Sequence, residues 1–342
     1  MDDPPARRAP IRRTLGCLAA FSVAVGSVGC AAAEEHDPLM ETARSVFGIL
    51  EPVAGELLEA PDVALGRKLF WDERISADGA TACASCHTAE AWGSDPRPFS
   101  VDARGDLTAR HSQTVFNATR QPSLRWVGDR RDAAHQAERS LAGSMGLTNA
   151  EDVVPLLMEH GYEGAFLTAF PQDPDPVSPA NYGRALQAYQ STLITPARFD
   201  AYLAGNAGAL STEEKEGLEL FLSNGCVGCH SGELLGGGVL QRFGITGDYW
   251  IATGSEKIDP GLYQATEEEG DRYVFRVSML RNIAKTAPYF HDGSVATLAE
   301  AVAVMANVQL GRTLSEADVA RIVAFLGSLT GEIPEDYSAP DR

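Results

Sequence analysis

Two five-residue runs constrain this chain more than anything else in it: Cys83-Ala84-Ser85-Cys86-His87 and Cys226-Val227-Gly228-Cys229-His230. Each reads C-x-x-C-H, the spacing at which two thiols add to the vinyl groups of one porphyrin while the next histidine reaches its iron. A zinc knuckle would need four ligands, and neither run has a further histidine or cysteine close by. A thioredoxin-type motif has no use for the following histidine and would not occur twice. The pattern predicts two covalently attached haems c, held by Cys83 and Cys86 and by Cys226 and Cys229, with His87 and His230 as proximal iron ligands. The fold must bury two porphyrins.

The totals agree. Of six cysteines, four belong to these runs, and Cys17 and Cys30 lie in the amino-terminal segment, so no disulfide framework is available. With 342 residues, 44% hydrophobic and 22% charged, the chain can fill ordinary globular cores in about two domains. Its formal charge of −19 disfavours nucleic acid and anionic membrane, and favours basic partners such as small cationic electron carriers.

Residues 1–14 are basic and Pro-rich, and Leu15 to Gly29 is apolar and small, which together predict an export signal over 1–29. Ser27-Val28-Gly29-Cys30 resembles a lipoprotein cleavage box, making Cys30 a candidate lipid anchor; ordinary cleavage among Ala31 to Ala33 is the alternative. Either places the protein in the periplasm. The Arg12-Arg13 pair looks like a twin-arginine signal, but covalent haem attachment follows export of an unfolded chain.

Residues 30–60 read as a linker with a helix from Leu39 to Leu50, and Leu65 to Phe70 as a short helical turn entering the first run. Thr88 to Arg110 is a long loop rich in Gly, Pro, Asp and Arg, and loops of that length usually carry function. Helical patterning returns over Ala133–Met145, Glu151–His160 and Asn181–Leu193, and Pro196 marks a boundary. A Ser211–Glu214 capping box opens a helix with Leu218, Phe221 and Leu222 on its apolar face. Gly232 to Tyr273 reads as loop. Thr297 caps a helix carrying Val302 and Met305; Ser315 caps the last, with Ile322, Phe325, Leu326 and Leu329 inward and Gly331 as its stop. Strand-like alternation is scarce. The expected fold is mainly α: two tandem cytochrome c-like domains over 61–196 and 197–334, with a tail over 335–342.

What each iron does depends on the position opposite its histidine. A Met thioether there raises the potential and closes the iron, which suits electron transfer; an open position suits peroxide or dioxygen chemistry. In the second domain Met305 and Met279 are the candidates. In the first, His111, His135, Met145 and His160 are, and the residues alone do not choose among them.

Further stretches carry a resemblance. Leu65-Gly66-Arg67-Lys68-Leu69-Phe70, Gln113-Thr114-Val115-Phe116-Asn117, Tyr273-Val274-Phe275-Arg276, Leu280-Arg281-Asn282, Pro288-Tyr289-Phe290-His291-Asp292-Gly293 and Gln309-Leu310-Gly311, taken with both haem runs, resemble the bacterial di-haem cytochrome c peroxidases and their MauG-like relatives from about Pro61 to Pro334. The resemblance implies a peroxidatic amino-terminal haem and an electron-delivering carboxy-terminal haem with Met305 as its axial ligand. Trp126 matches the tryptophan between the haems, and Gln136 a glutamine of the peroxidatic pocket. Hydrogen peroxide is the implied substrate, a small cytochrome c or copper protein the implied donor, and a homodimer the candidate assembly. The family's interdomain Ca2+ would fall at His111, Thr286 and Pro288, although histidine is a poor ligand for a hard cation.

Two departures stand out. The distal histidine of the peroxidases falls at Ala103, which implies a first haem already open, as in the MauG-like branch. The distal glutamate falls at Gly146, with no acidic residue between Glu138 and Glu151. Gln136 with water, His135, His111 and Glu138 are the candidates to replace it. The leading expectation is peroxide reduction. The alternatives are MauG-like oxidation of a partner protein, and a non-catalytic electron carrier or haem sensor.

Overall fold

The computed structural model describes Met1 and residues 37–340. The expected export signal and the candidate anchor Cys30 lie outside the described residues. Among the described residues no helix is long and apolar enough to cross a membrane.

The longer helices are α1 (Pro38–Val46), α2 (Pro61–Trp71), α3 (Ala133–Ala142), α4 (Pro179–Gln190), α5 (Thr212–Ser223), α6 (Leu298–Leu310) and α7 (Glu316–Gly327). Their starts follow local chemistry. Ser211 Oγ accepts from the Glu214 N–H while Glu214 reaches back to the Ser211 N–H at 2.8 Å, and Thr297 and Glu300 repeat the arrangement. The turn expected at Leu65–Phe70 is a full helix with Pro61 in its first turn, and Gly232–Tyr273 is not all loop. It holds a helix at Tyr249–Thr253 and strand β1 (Leu240–Arg242), which pairs antiparallel with β2 (Val274–Arg276).

In each half two helices cross at a glycine. A Cβ built on Gly66 of α2 would overlap the Ala185 carbonyl of α4; one on Gly217 of α5 would overlap the Arg321 carbonyl of α7. Phe70, Phe116, Leu141, Phe166, Leu186 and Tyr189 fill the first core, and Phe199, Leu218, Phe221, Phe325 and Leu326 the second.

The chain ends are exchanged between these cores. Met40, Ala43 and Phe47, in and just after α1, pack in the second core. The segment expected as a tail returns to the first: Tyr337 is buried against Phe116 at 4.6 Å between ring centroids, and its hydroxyl donates to the His87 carbonyl at 2.5 Å. Sequence proximity would have paired these segments the other way, but the apolar faces they cover belong to the opposite halves.

The halves also repeat one local structure at a constant spacing along the chain. Asn117 and Asn282 both adopt left-handed backbone and start a 3-10 turn. Bridges then close Leu124 on Arg130 and Tyr289 on Val295, with Arg125 and Phe290 left-handed inside them. Asp132 and Thr297 next cap α3 and α6, each side chain accepting the backbone N–H three residues on. In this correspondence His111 matches Arg276 and Trp126 matches His291. The copies join reciprocally: His111 N donates to His291 O at 2.7 Å, and Arg276 N donates to Trp126 O at 2.7 Å. Matched positions bonding each other's partners mark a pseudo-twofold relation.

The glycine crossings give a stability test. Gly66→Ala and Gly217→Ala are each expected to cost about 3 kcal/mol by overpacking. Gly164→Ala, where an added Cβ meets nothing within 4 Å, should be neutral or stabilising. Denaturant unfolding of the purified haem-loaded variants measures the difference, and equal stability of the three would refute the crossing argument.

Candidate active site

Each haem run forms a 3-10 turn directly after a loop or helix end, at Cys83–Ser85 and Cys226–Gly228. The histidine that follows is held by its own backbone. His87 Nδ1 lies 2.9 Å from Gly93 O and His230 Nδ1 lies 3.1 Å from Leu235 O. A carbonyl partner at Nδ1 requires the proton there and leaves the Nε2 lone pair for a metal. Burial holds both imidazoles below their ordinary pKa, so both are neutral. Burial pushes the Cys83 thiol up to about 12 and also raises Cys86 and Cys226. A redox C-x-x-C pair needs the opposite, a depressed thiol. Among the described residues no group of three or more His, Cys, Asp or Glu side chains is arranged to hold a metal ion.

One continuous cavity of about 760 Å³ runs between the two runs. Cys83, Cys86, His87, Cys226, Cys229, His230, Met305, Trp126 and Gln136 all line it. His135, Glu138 and His160 do not. Trp126 sits where the halves meet, its Nε1 donating to His111 O at 2.8 Å and its ring 6.2 Å from that of His291. Met305 rises from α6 into the same apolar cluster as Trp126, Phe243 and Phe290. Met279 packs instead with Leu50, Ile194 and Leu234, next to Ser278, whose carbonyl crowds Gly236 beside His230 Nδ1. The two methionines therefore stand in different surroundings, Met279 beside the proximal ring.

The two departures pack on each other. A Cβ on Gly146 would meet the Cβ atoms of Ala103 and Ala77 at 3.0 and 3.1 Å, and neither Ala103 nor Gly146 reaches the cavity. The wall there is made by Gly143, Ser144 and Met145, which carry no acid, and by the loop residues Asp102 and Arg104. Arg104 donates to the carbonyls of Ala142 and Gly143 at 2.8 and 2.9 Å, pinning the long loop to the end of α3. His111 is buried with both ring nitrogens engaged inside this loop, by Arg97 O at 3.1 Å and Ser94 Oγ at 3.3 Å.

The arginines escaped the sequence reading. In a chain of charge −19 the cavity wall carries, among the described residues, eight arginines and a single carboxylate, Asp102. Some are paired outward, Arg110 to Asp259 and Arg281 to Asp200. Arg139, Arg276 and Arg312 have no carboxylate within ion-pair reach among the described residues. Arg276 is 3% exposed, and its guanidinium donates to the Arg125 carbonyl and to the side chains of Gln113 and Gln121. Burial pulls its pKa down to about 10. Arg130 Nε and Gln136 Oε1 are buried on the same wall without partners. Such a surplus of guanidinium suits carboxylate-bearing cofactors, and each haem brings two propionates. The residues present fit two haems c. Arg276 and Arg281 lie in stretches that carry the resemblance, but nothing in those stretches shows that they line one wall with Arg104, Arg125, Arg130 and Arg139.

A family model described as di-haem cytochrome c peroxidase matches residues 60–208, and one described as cytochrome c matches 214–330. The chain is 38% identical to a cytochrome c551 peroxidase of Pseudomonas aeruginosa over 88% of each chain. It is 36% identical to the cytochrome c551 peroxidase of Nitrosomonas europaea, over 85% of this chain and 86% of that one. The chain belongs to the di-haem cytochrome c peroxidase and MauG family. Among solved structures, a MauG-like protein associated with microbial copper homeostasis superposes with a TM-score of 0.72 at 27% identity, covering 86% of this chain and 97% of that one. A peroxidase-like oxidoreductase carrying haem c in two tandem domains follows from this membership.

In a family that works by moving charge, a buried cation on the cofactor wall sets potentials. Arg276→Gln removes a charge that favours the reduced state, so it is expected to lower a haem midpoint potential by tens of millivolts. Arg139→Gln, on the exposed side of α3, should shift potentials less. Potentiometric titration followed optically compares the two, and an equal or opposite shift would refute the role given to Arg276.

Proposed function

We propose that this protein reduces hydrogen peroxide to water, H2O2 + 2 e− + 2 H+ → 2 H2O, with electrons from a small redox protein. Cys226, Cys229, His230 and Met305 would hold the haem that takes up electrons, and Cys83, Cys86 and His87 would hold the haem that supplies peroxide chemistry. The observation that carries this reading is the asymmetry of two otherwise matched sites. Around the second, α6 brings a thioether into an apolar cluster; around the first, α3 brings the unpartnered amide of Gln136.

Bound haem supplies an iron that accepts oxidising equivalents from peroxide and returns to rest by taking electrons. The chain does the remainder. Gly93 O fixes the His87 ring so that its Nε2 faces the cavity. Gln136 Oε1 accepts an O–H from peroxide while its amide N–H donates to the other oxygen, which orients the molecule. Trp126, held by His111 O, stands between the two attachment runs as the aromatic step for electrons. The acidic exterior attracts a cationic donor, a small cytochrome c or copper protein, and the amino-terminal signal sends the chain to the periplasm.

A second reading is peroxide-driven oxidation of a partner protein. It is favoured by the wall over 143–145, where no acid stands in place of the family's distal glutamate.

The fully oxidised protein is expected to show one high-spin and one low-spin haem by EPR, to bind cyanide without prior reduction, and to turn over peroxide with reduced cytochrome c. Two low-spin ferric haems would refute the open first site. Modification of a partner protein without cytochrome turnover would select the second reading.

A further inference from the structure

The pseudo-twofold correspondence that matches Trp126 to His291 continues into the helices that wall the two sites. Asp132 and Thr297 hold the same capping position, so α3 and α6 begin in register. Counting on from the caps, Gln136 of α3 stands where α6 has Ala301, and Ser140 stands where α6 has Met305. All four residues line the cavity, so the matched helices present the same face. The proximal sides match as well: each ring is held at Nδ1 by a backbone carbonyl a few residues on, Gly93 O for His87 and Leu235 O for His230.

We infer that Ser140 occupies, on the first haem, the seat that Met305 holds on the second, and that this side chain, too short to reach an iron, leaves open a site already without the family's distal histidine at Ala103. The inference rests on Met305 being the axial ligand of the second haem. Ser140 Oγ is also turned back on its own helix, donating to Ala137 O at 2.6 Å. That bond satisfies the hydroxyl proton locally and leaves only weak acceptor capacity toward the cavity. Where Met305 fills the second site with a flexible, soft sulfur, Ser140 leaves room of about a thioether side chain. With Gln136 one helical turn before it, Ser140 makes the first site polar and accessible. The difference between a wire and a reaction centre thus reduces to two positions on one helix face, Gln136 against Ala301 and Ser140 against Met305.

The test is a pair of swaps read by spin state, not by turnover. Ser140→Met in the full-length, haem-loaded protein is expected to replace the high-spin ferric signal with a second low-spin signal. It should also add a second thioether-to-iron charge-transfer band, and weaken cyanide binding by about tenfold or more, since the competent fraction falls. Met305→Ser should do the reverse at the second haem, giving a high-spin signal and a lower potential there alone. If Met305→Ser leaves the second haem low-spin with an unchanged potential, the ligand assignment of Met305 fails, and this inference with it. If Met305→Ser opens the second haem but Ser140→Met, folded and carrying both haems, stays high-spin and binds cyanide like the parent, the correspondence of the two seats is wrong while the axial role of Met305 stands. Ser140→Leu, similar in size but without a ligating atom, separates coordination from crowding: it should hinder cyanide without creating a new low-spin haem. A low-spin haem in the leucine variant would overturn the claim that the sulfur closes the site.

Discussion

Two backbone hydrogen bonds at the centre of the molecule hold its working geometry. His111 N donates to His291 O and Arg276 N donates to Trp126 O, each across the boundary between the halves. Each bond ties a loop that shapes one haem site to a loop that shapes the other, and together they seat Trp126 and His291 with ring centroids 6.2 Å apart. Backbone groups buried at such a junction must be paired, because an unpaired amide there costs about as much as a lost hydrogen bond. The reciprocal pairing satisfies both copies at once. The junction between the halves is therefore set by main-chain geometry and does not depend on long side chains.

On that repeated frame the chain builds two unlike surroundings. The helix crossings at Gly66 and Gly217, the carbonyl-held proximal histidines and the capped wall helices are common to both halves. The differences are a few side chains facing the cavity. Because they stand on rigid helices, a change of one side chain alters what an iron can bind without moving the scaffold. Arg104, fastening the long loop to the carbonyl end of α3, adds to that rigidity on the side where the family's distal histidine is absent.

Charge is distributed in opposition. The exterior is strongly acidic, while the cavity wall is rich in arginine and has, among the described residues, Asp102 as its one carboxylate. A buried guanidinium without a carboxylate partner, as at Arg276, is costly unless something brings the counter-charge. Haem propionates would do so, which would make the cofactors part of the electrostatic structure as well as of the core. The exchanged chain ends act in the same direction: α1 on the second core and Tyr337 on the first brace both halves, and Tyr337 reaches the backbone of His87 itself.

What the sequence determined alone was whatever is local or covalent. The two C-x-x-C-H runs specify their own chemistry within five residues, and the caps at Ser211, Thr297 and Ser315 announce helices within four. Family-like stretches added Trp126, Gln136 and Met305, and the structure brings all three to one cavity. Other features depend on chain segments far apart in sequence. Nothing near Tyr337 in sequence says which core it covers. Gly146 stands at the distal acid's place along the chain, yet its left-handed backbone turns it onto Ala103, and Ser144 and Met145 take the wall. The gathering of arginines on one wall and the pairing of Ser140 with Met305 had no local signal. They become visible only when two halves with little sequence in common are laid over one another. Packing decides such matters, because burial and juxtaposition are properties of the folded chain and not of its neighbours in sequence.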